Sequence, residues 1–134
     1  MDIGHNKNFG EVLLYNKSIT LEEILNTVST KHMHEDRQAR YNNAISLLDE
    51  DDYIEHIFLV DKMHPSGKEL HCVTHSGIIF ILNERKFKEG IPCLITIFLA
   101  RRNQIIRLYK PFGLWVDTYT LNKCDYYIEN GLNI

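Results

Sequence analysis

His56–Tyr109 reads HIFLVDKMHPSGKELHCVTHSGIIFILNERKFKEGIPCLITIFLARRNQIIRLY, and this stretch decides the fold. Residues 56–60 (HIFLV) are dense in β-branched and aromatic side chains and predict a strand. His64-Pro65-Ser66-Gly67 predicts a turn, because proline fixes φ and glycine tolerates positive φ. Residues 69–75 (ELHCVTH) predict a second strand, Ser76-Gly77 a tight hairpin, and 78–82 (IIFIL) a third strand. After the connection NERKFKEGIP, residues 93–100 (CLITIFLA) predict a fourth. Apolar runs this continuous imply strands covered on both faces.

Upstream, Thr20 followed three residues later by Glu23 forms a capping box, and Ile24, Leu25 and Val28 supply a helical stripe behind it. Tyr41, Ala44, Ile45 and Leu48 repeat at helical spacing and predict a second helix, ending in the acidic run DEDD (49–52). Negative charge opposes the macrodipole at a helix C-terminus, so this run is expected to be a solvated connection. Residues 1–19, with a short apolar knot EVLLY, are consistent with a docked arm or a short strand.

Downstream, Arg101–Lys110 predicts a helix with Ile105, Leu108 and Tyr109 inward and Arg102, Asn103, Arg107 and Lys110 outward. A short last helix is expected with Leu121, Cys124 and Ile128 inward, and Gly131 just past its end. The expectation is a single α+β domain over residues 1–134. It has two N-terminal helices, an antiparallel meander of about four strands, and one or two short C-terminal helices. The N-terminal helices are to cover one sheet face and the C-terminal elements the other.

Composition narrows the function classes. Apolar residues at 44% and charged residues at 25% are the ordinary globular balance. A formal charge of −3 argues against a global electrostatic grip on nucleic acid, while leaving room for a local basic patch. Cys72, Cys93 and Cys124 are odd in number and widely spaced, which fits free thiols in a reducing compartment. No apolar run approaches the roughly 18 residues of a membrane span, and no signal-peptide pattern opens the chain. The expectation is a cytoplasmic protein without a membrane partner.

The seven histidines invite a metal, but their spacing does not supply one. His71 and His75 share a strand face yet stand four residues apart, roughly 13 Å along an extended chain. HEXXH and CxxC are absent, as are GxGxxG, GxxxxGK[ST] and GxSxG, so no metal, cofactor or nucleotide is expected. Metal-free acid–base chemistry on RNA has more support, since it needs two proton carriers and a cation over the phosphate. His64, His71 and His75 are suited to the proton roles near neutral pH. Lys62, Lys68, Arg85, Arg101, Arg102 and Arg107 are the cations on offer for the phosphate, and Thr96 and Tyr109 the hydroxyl donors. Lys68, Arg102, Arg107 and Tyr109 would line the binding surface, with the tyrosine stacking on a base.

The segments HPSGKELH, HSGIIFI, LITIFLARRNQI and RLY resemble small orphan proteins of Firmicute phages and prophages. Two helices followed by a four-stranded antiparallel sheet also resembles the barnase–EndoU–colicin–RelE group of ribonucleases. That resemblance implies metal-independent RNA cleavage on one sheet face. It implies His71 as base, Arg85 or Arg101 as phosphate clamp, Thr96 as hydroxyl donor and His64 as second proton carrier. The alternative expectation is a non-enzymatic phage-encoded inhibitor that binds and blocks a host defence protein. The partner is accordingly RNA or a host protein. An enzyme should gather His64, His71 and a cation in one concave site. An inhibitor should show an exposed aromatic or acidic patch.

Overall fold

Strands and helices follow the apolar runs closely, and the reason is burial. In the computed structural model, which describes residues 4–6, 9–27, 35–61 and 67–134, every residue of 69–83 except His75 is buried. These residues form β4 (Glu69–Thr74) and β5 (Ile78–Asn83), two strands with no solvent-facing side. Around them lie β1 (Gly4–Asn6), β2 (Phe9–Leu14), β3 (Ile54–Val60) and β6 (Leu94–Leu99). The six strands stand in chain order in one sheet, and every neighbouring pair is antiparallel.

The helices divide between the two faces. Helices α1 (Leu21–Thr27) and α2 (Glu35–Leu47) sit in the crossover between β2 and β3. Their Ile24 and Ala44 pack with Ile57, Leu70, Cys72, Ile78, Phe80, Leu82 and Ile97. Helices α4 (Arg102–Tyr109) and α5 (Thr118–Glu129), with a 3₁₀ turn at Lys110–Phe112, cover the opposite face. There Ile105, Tyr109 and Cys124 pack with Val12, Phe58, Val60, Val73, Ile79 and Ile81. Adjacent residues of one strand thus belong to different cores, as the pleat requires. The α+β expectation and the two-sided covering both hold.

Three details differ from the sequence reading, and the choice it left open near the N-terminus falls to strands. Residues 4–6 and 9–14 form paired strands, joining the sheet through Leu14 opposite Phe58. The connection after β5 holds a one-turn helix, α3 (Glu84–Lys88), which starts where Asn83 Oδ1 accepts from the Lys86 amide. The inward stripe of α5 is Thr120, Cys124 and Tyr127, whereas Ile128 is 56% exposed. The acidic run is docked, with Asp52 engaged by Ser76 of the β4–β5 turn and Asp49 by Tyr119 of α5. At α1 the expected cap is present, the Glu23 amide donating to Thr20 Oγ1 at 3.1 Å. The expected turn at 64–67, apart from Gly67, and the stretch containing Val28, His32 and His34 lie outside the described residues.

The β4–β5 hairpin turns on Gly77, whose φ of +82° suits glycine. A Cβ there would lie 2.8 Å from Cys124 Sγ, so α5 closes over this turn with no room for a methyl group. Gly77→Ala should therefore cost about 1–3 kcal/mol for the left-handed backbone alone, with the contact adding to it. Chemical denaturation of the two proteins side by side measures the difference.

Candidate functional site

Two groups of polar and aromatic side chains converge where β3 begins and the β4–β5 hairpin turns. The inner group is created by a bulge. Ile54 pairs with Thr74 but His56 with Val73, so Glu55 is an extra residue in β3. The His56 ring meets the Tyr109 ring edge-on at 5.0 Å. Burial raises the Glu55 carboxyl, and Asp117 raises it further while His75 opposes the shift. Burial lowers the His56 imidazole and raises the Tyr109 phenol, to which the charge of Glu55 also contributes. Glu55 Oε2 and the Tyr109 hydroxyl are buried with no hydrogen-bond partner among the described residues. A cleft of about 140 Å³ opens beside Glu55 and His56, bounded across the gap by Tyr15, Lys17 and Ser18.

The outer group is a stack of three rings. The His75 imidazole lies between Tyr53 and Tyr119, with centroids 5.1 and 4.8 Å away and planes within 16° and 19° of parallel. His75 Nε2–H donates to Asp117 Oδ2 at 2.9 Å, which leaves Nδ1 as the other ring nitrogen. Asp117 also caps α5 by accepting from the Tyr119 amide at 2.9 Å. These two bonds, that to His75 first, hold the Asp117 carboxyl below the usual aspartate range.

Further bonds lock the stack to the body of the protein. The Tyr119 hydroxyl donates to Asp49 at 2.6 Å and its pKa is pushed up to about 12 by that carboxylate. Asp49 also pairs with Lys123 at 3.3 Å. Asp52 accepts from the Ser76 hydroxyl, Thr120 Oγ1 donates to the His75 carbonyl at 2.7 Å, and the Tyr127 hydroxyl to that of Ser76 at 2.7 Å. Outside this frame the aromatic rings are open to solvent, with Tyr53 at 51%, Tyr119 at 43%, Tyr126 at 49% and Trp115 at 80% exposure. Tyr126 follows Tyr119 by two helical turns and so lies on the same side of α5.

Except for His75 of the outer group, the residues expected from the sequence fall elsewhere and apart. His71 is buried on the α4 side of the sheet, its Nε2 3.2 Å from Glu69 Oε1. Thr96 shares its row across Ile81, two inter-strand spacings or roughly 10 Å away. Lys68 and Arg85 are exposed at this end of the sheet, joined by the Glu84 amide donating to the Lys68 carbonyl at 3.1 Å. Arg101 leaves β6 at the other end of β5, roughly 17 Å of strand away from Arg85. The two arginines are therefore not brought together. Arg102 is not a free outward cation but a two-pronged partner of Asp125, with its closest contact at 2.7 Å. Arg107 is exposed on α4. Tyr109 is fully buried, which corrects its expected place on a stacking surface. Lys62 and His64 lie outside the described residues.

The three cysteines are buried free thiols, and burial raises those of Cys72 and Cys124, the latter to about 11. Thiolate chemistry is thereby disfavoured. No cluster of metal-ligating side chains occurs among the described residues. No helix among them is long and apolar enough to cross a membrane. No family model, curated protein or solved structure matches this chain.

Sequence reasoning missed the whole outer group except as scattered residues. The one available signal was Asp117 ahead of a helical pattern, which marks a cap but does not disclose the histidine above it. Because its folded-state pKa is depressed, Asp117 contributes stability that is present above the ordinary aspartate value of about 3.9 and is lost as pH falls through the folded value. Carboxyl-resolved NMR titration should place Asp117 below that ordinary value. His75→Phe, which keeps a ring between the tyrosines, should move it upward.

Proposed function

We propose that this domain acts by binding a basic segment of a partner protein through the surface around Tyr53, His75, Trp115, Tyr119 and Tyr126. The observation that carries this reading is the collection of solvent-open aromatic rings beside an acidic rim. Aromatic side chains with little freedom to lose are the usual anchors of protein interfaces. Tyr53, His75 and Tyr119 are already held in their stack, so little ordering of these three remains for the moment of binding.

The rim selects the partner's charge. Glu50 and Asp51 are exposed in the α2–β3 connection, beside Asp49 and Asp52 of the same run and Asp117 at the cap of α5. Such a field repels a phosphate backbone and attracts lysine or arginine. A phage accessory protein that blocks a host defence protein fits this description, in keeping with the resemblance drawn from HPSGKELH and LITIFLARRNQI. RNA cleavage is the second reading. It is supported by the buried His71–Glu69 pair with Lys68 and Arg85 exposed at the same end of the sheet.

Binding to host proteins should be compared for the wild type and for Tyr119→Ala, Trp115→Ala and the charge reversal E50K/D51K. An aromatic anchor is worth about 2 kcal/mol or more, so each truncation should weaken a specific complex about 30-fold. The reversal should slow association and flatten its salt dependence. Retention of full affinity in all three variants would sink the reading. Independently, the RNA reading expects chelator-resistant cleavage of bulk RNA that His71→Ala abolishes.

A further inference from the structure

The three-ring stack has two ends, and they are not alike. At one end the Tyr119 hydroxyl donates to Asp49 at 2.6 Å, and Asp49 pairs in turn with Lys123 at 3.3 Å. Lys123 also stands 5.6 Å from the ring centroids of Tyr126 and Tyr127, so this end already has its own cation. Tyr53 is the other end. Its amide donates to Asp52 Oδ1 at 3.0 Å and its carbonyl accepts from the His75 amide at 3.0 Å, which uses both of its main-chain groups. One face of its ring lies on His75. The 51% of Tyr53 that stays open is therefore chiefly the opposite face and the rim of the ring. Among the described residues no cation lies over that face.

Negative charge gathers round the same ring. Burial raises the Tyr53 phenol, and the charges of Glu55, Asp117 and Asp52 raise it further. The three carboxylates differ in what they can still accept, a carboxylate having room for about four donors. Asp52 is full: Oδ1 accepts from the Tyr53 and Ser76 amides, and Oδ2 from the Ser76 hydroxyl and the Asp49 amide. Asp117 holds one bond on each oxygen, from the Tyr119 amide and from His75, and 44% of its side chain is open. Glu55 is half-buried, with no partner for Oε2 among the described residues. An arriving cation favours the ionised form that burial disfavours in Glu55.

We propose that the open face of Tyr53 is a guanidinium site, on which an arginine of the partner's basic segment lies flat and extends the stack by one plane. This rests on the basic-segment reading above and narrows it from cations in general to arginine. Shape makes the choice. His75, held by Asp117, keeps the Tyr53 ring within 16° of its own plane, so the platform is set before anything binds. A guanidinium is planar and weakly hydrated, so it can stack on such a face while its N–H groups, lying in its own plane, stay free for carboxylates. An ammonium is a compact, strongly hydrated point charge, which gains from the acidic field but little from the ring. A phosphate is repelled by the same carboxylates.

The test compares a short arginine peptide with the lysine peptide of the same length and spacing, each titrated into the full chain at one ionic strength. The arginine peptide should bind about tenfold tighter, and its side-chain Cδ protons should shift upfield under the tyrosine ring current. Tyr53→Ala should bring the two affinities together by weakening arginine binding, whereas Tyr53→Phe should keep the preference. Equal binding of both peptides to the wild type overturns the guanidinium site and leaves the basic-segment reading standing. Binding of neither overturns both. A preference that survives in Tyr53→Ala overturns the site as well, because the arginine then lies elsewhere. The wild-type comparison and the proton shift need no variant to fold.

Discussion

Burial of β4 and β5 on both faces is the constraint from which the rest of the structure follows. An antiparallel pair usually leaves one face to water, and its sequence then alternates apolar with polar. Residues 69–83 do not alternate in that way, and apart from His75 none is open. Two helical layers are therefore obligatory. The chain supplies one before the central meander and one after it, so α1 and α2 interrupt the sheet between β2 and β3 while α4 and α5 close it at the end. Fully burying one large apolar side chain is worth roughly 1.5–3 kcal/mol, and both cores are built largely from such residues.

The same constraint sorts the polar groups. Thr74 and Ser76 are buried and bonded to each other at 3.0 Å, and Asp52 completes their set. Glu69, His71 and Asn83 are buried together at the far end of β4 and β5. Where the two strands turn, the chain leaves its covering at His75. His75 is the sole residue of the central hairpin to reach that position with part of its ring open.

How much of this was legible in the sequence depends on how far apart the interacting residues stand. The two early helices, the four-strand meander and its double covering were readable because each announces itself within a few residues: a Thr20 cap, a Ser76-Gly77 turn, an unbroken apolar run. The strand at 9–14 was only one of two readings left open, since its partner β3 comes more than forty residues later. The α5 stripe was misjudged by one position because the Tyr127 hydroxyl finds a carbonyl 51 residues away. Arg102 was read as outward for the same reason, its carboxylate being 23 residues off. His75 and Asp117 are 42 apart, and no local pattern foretells such a pair. The acidic run was judged by helix-end electrostatics, while the stronger influence is a set of hydroxyl donors from the hairpin and α5.

Those long separations have a consequence for the way the molecule comes into being. The aromatic stack takes Tyr53 from before the hairpin, His75 from its tip and Tyr119 from the last helix. During synthesis the sheet can assemble strand by strand as it leaves the ribosome, yet the surface stays unfinished until the final segment has emerged and lain across the turn. A chain stopped short of residue 118 would lack both Tyr119 and the tyrosine that grips Ser76. The aromatic stack is thus finished only once α5 is in place over the hairpin.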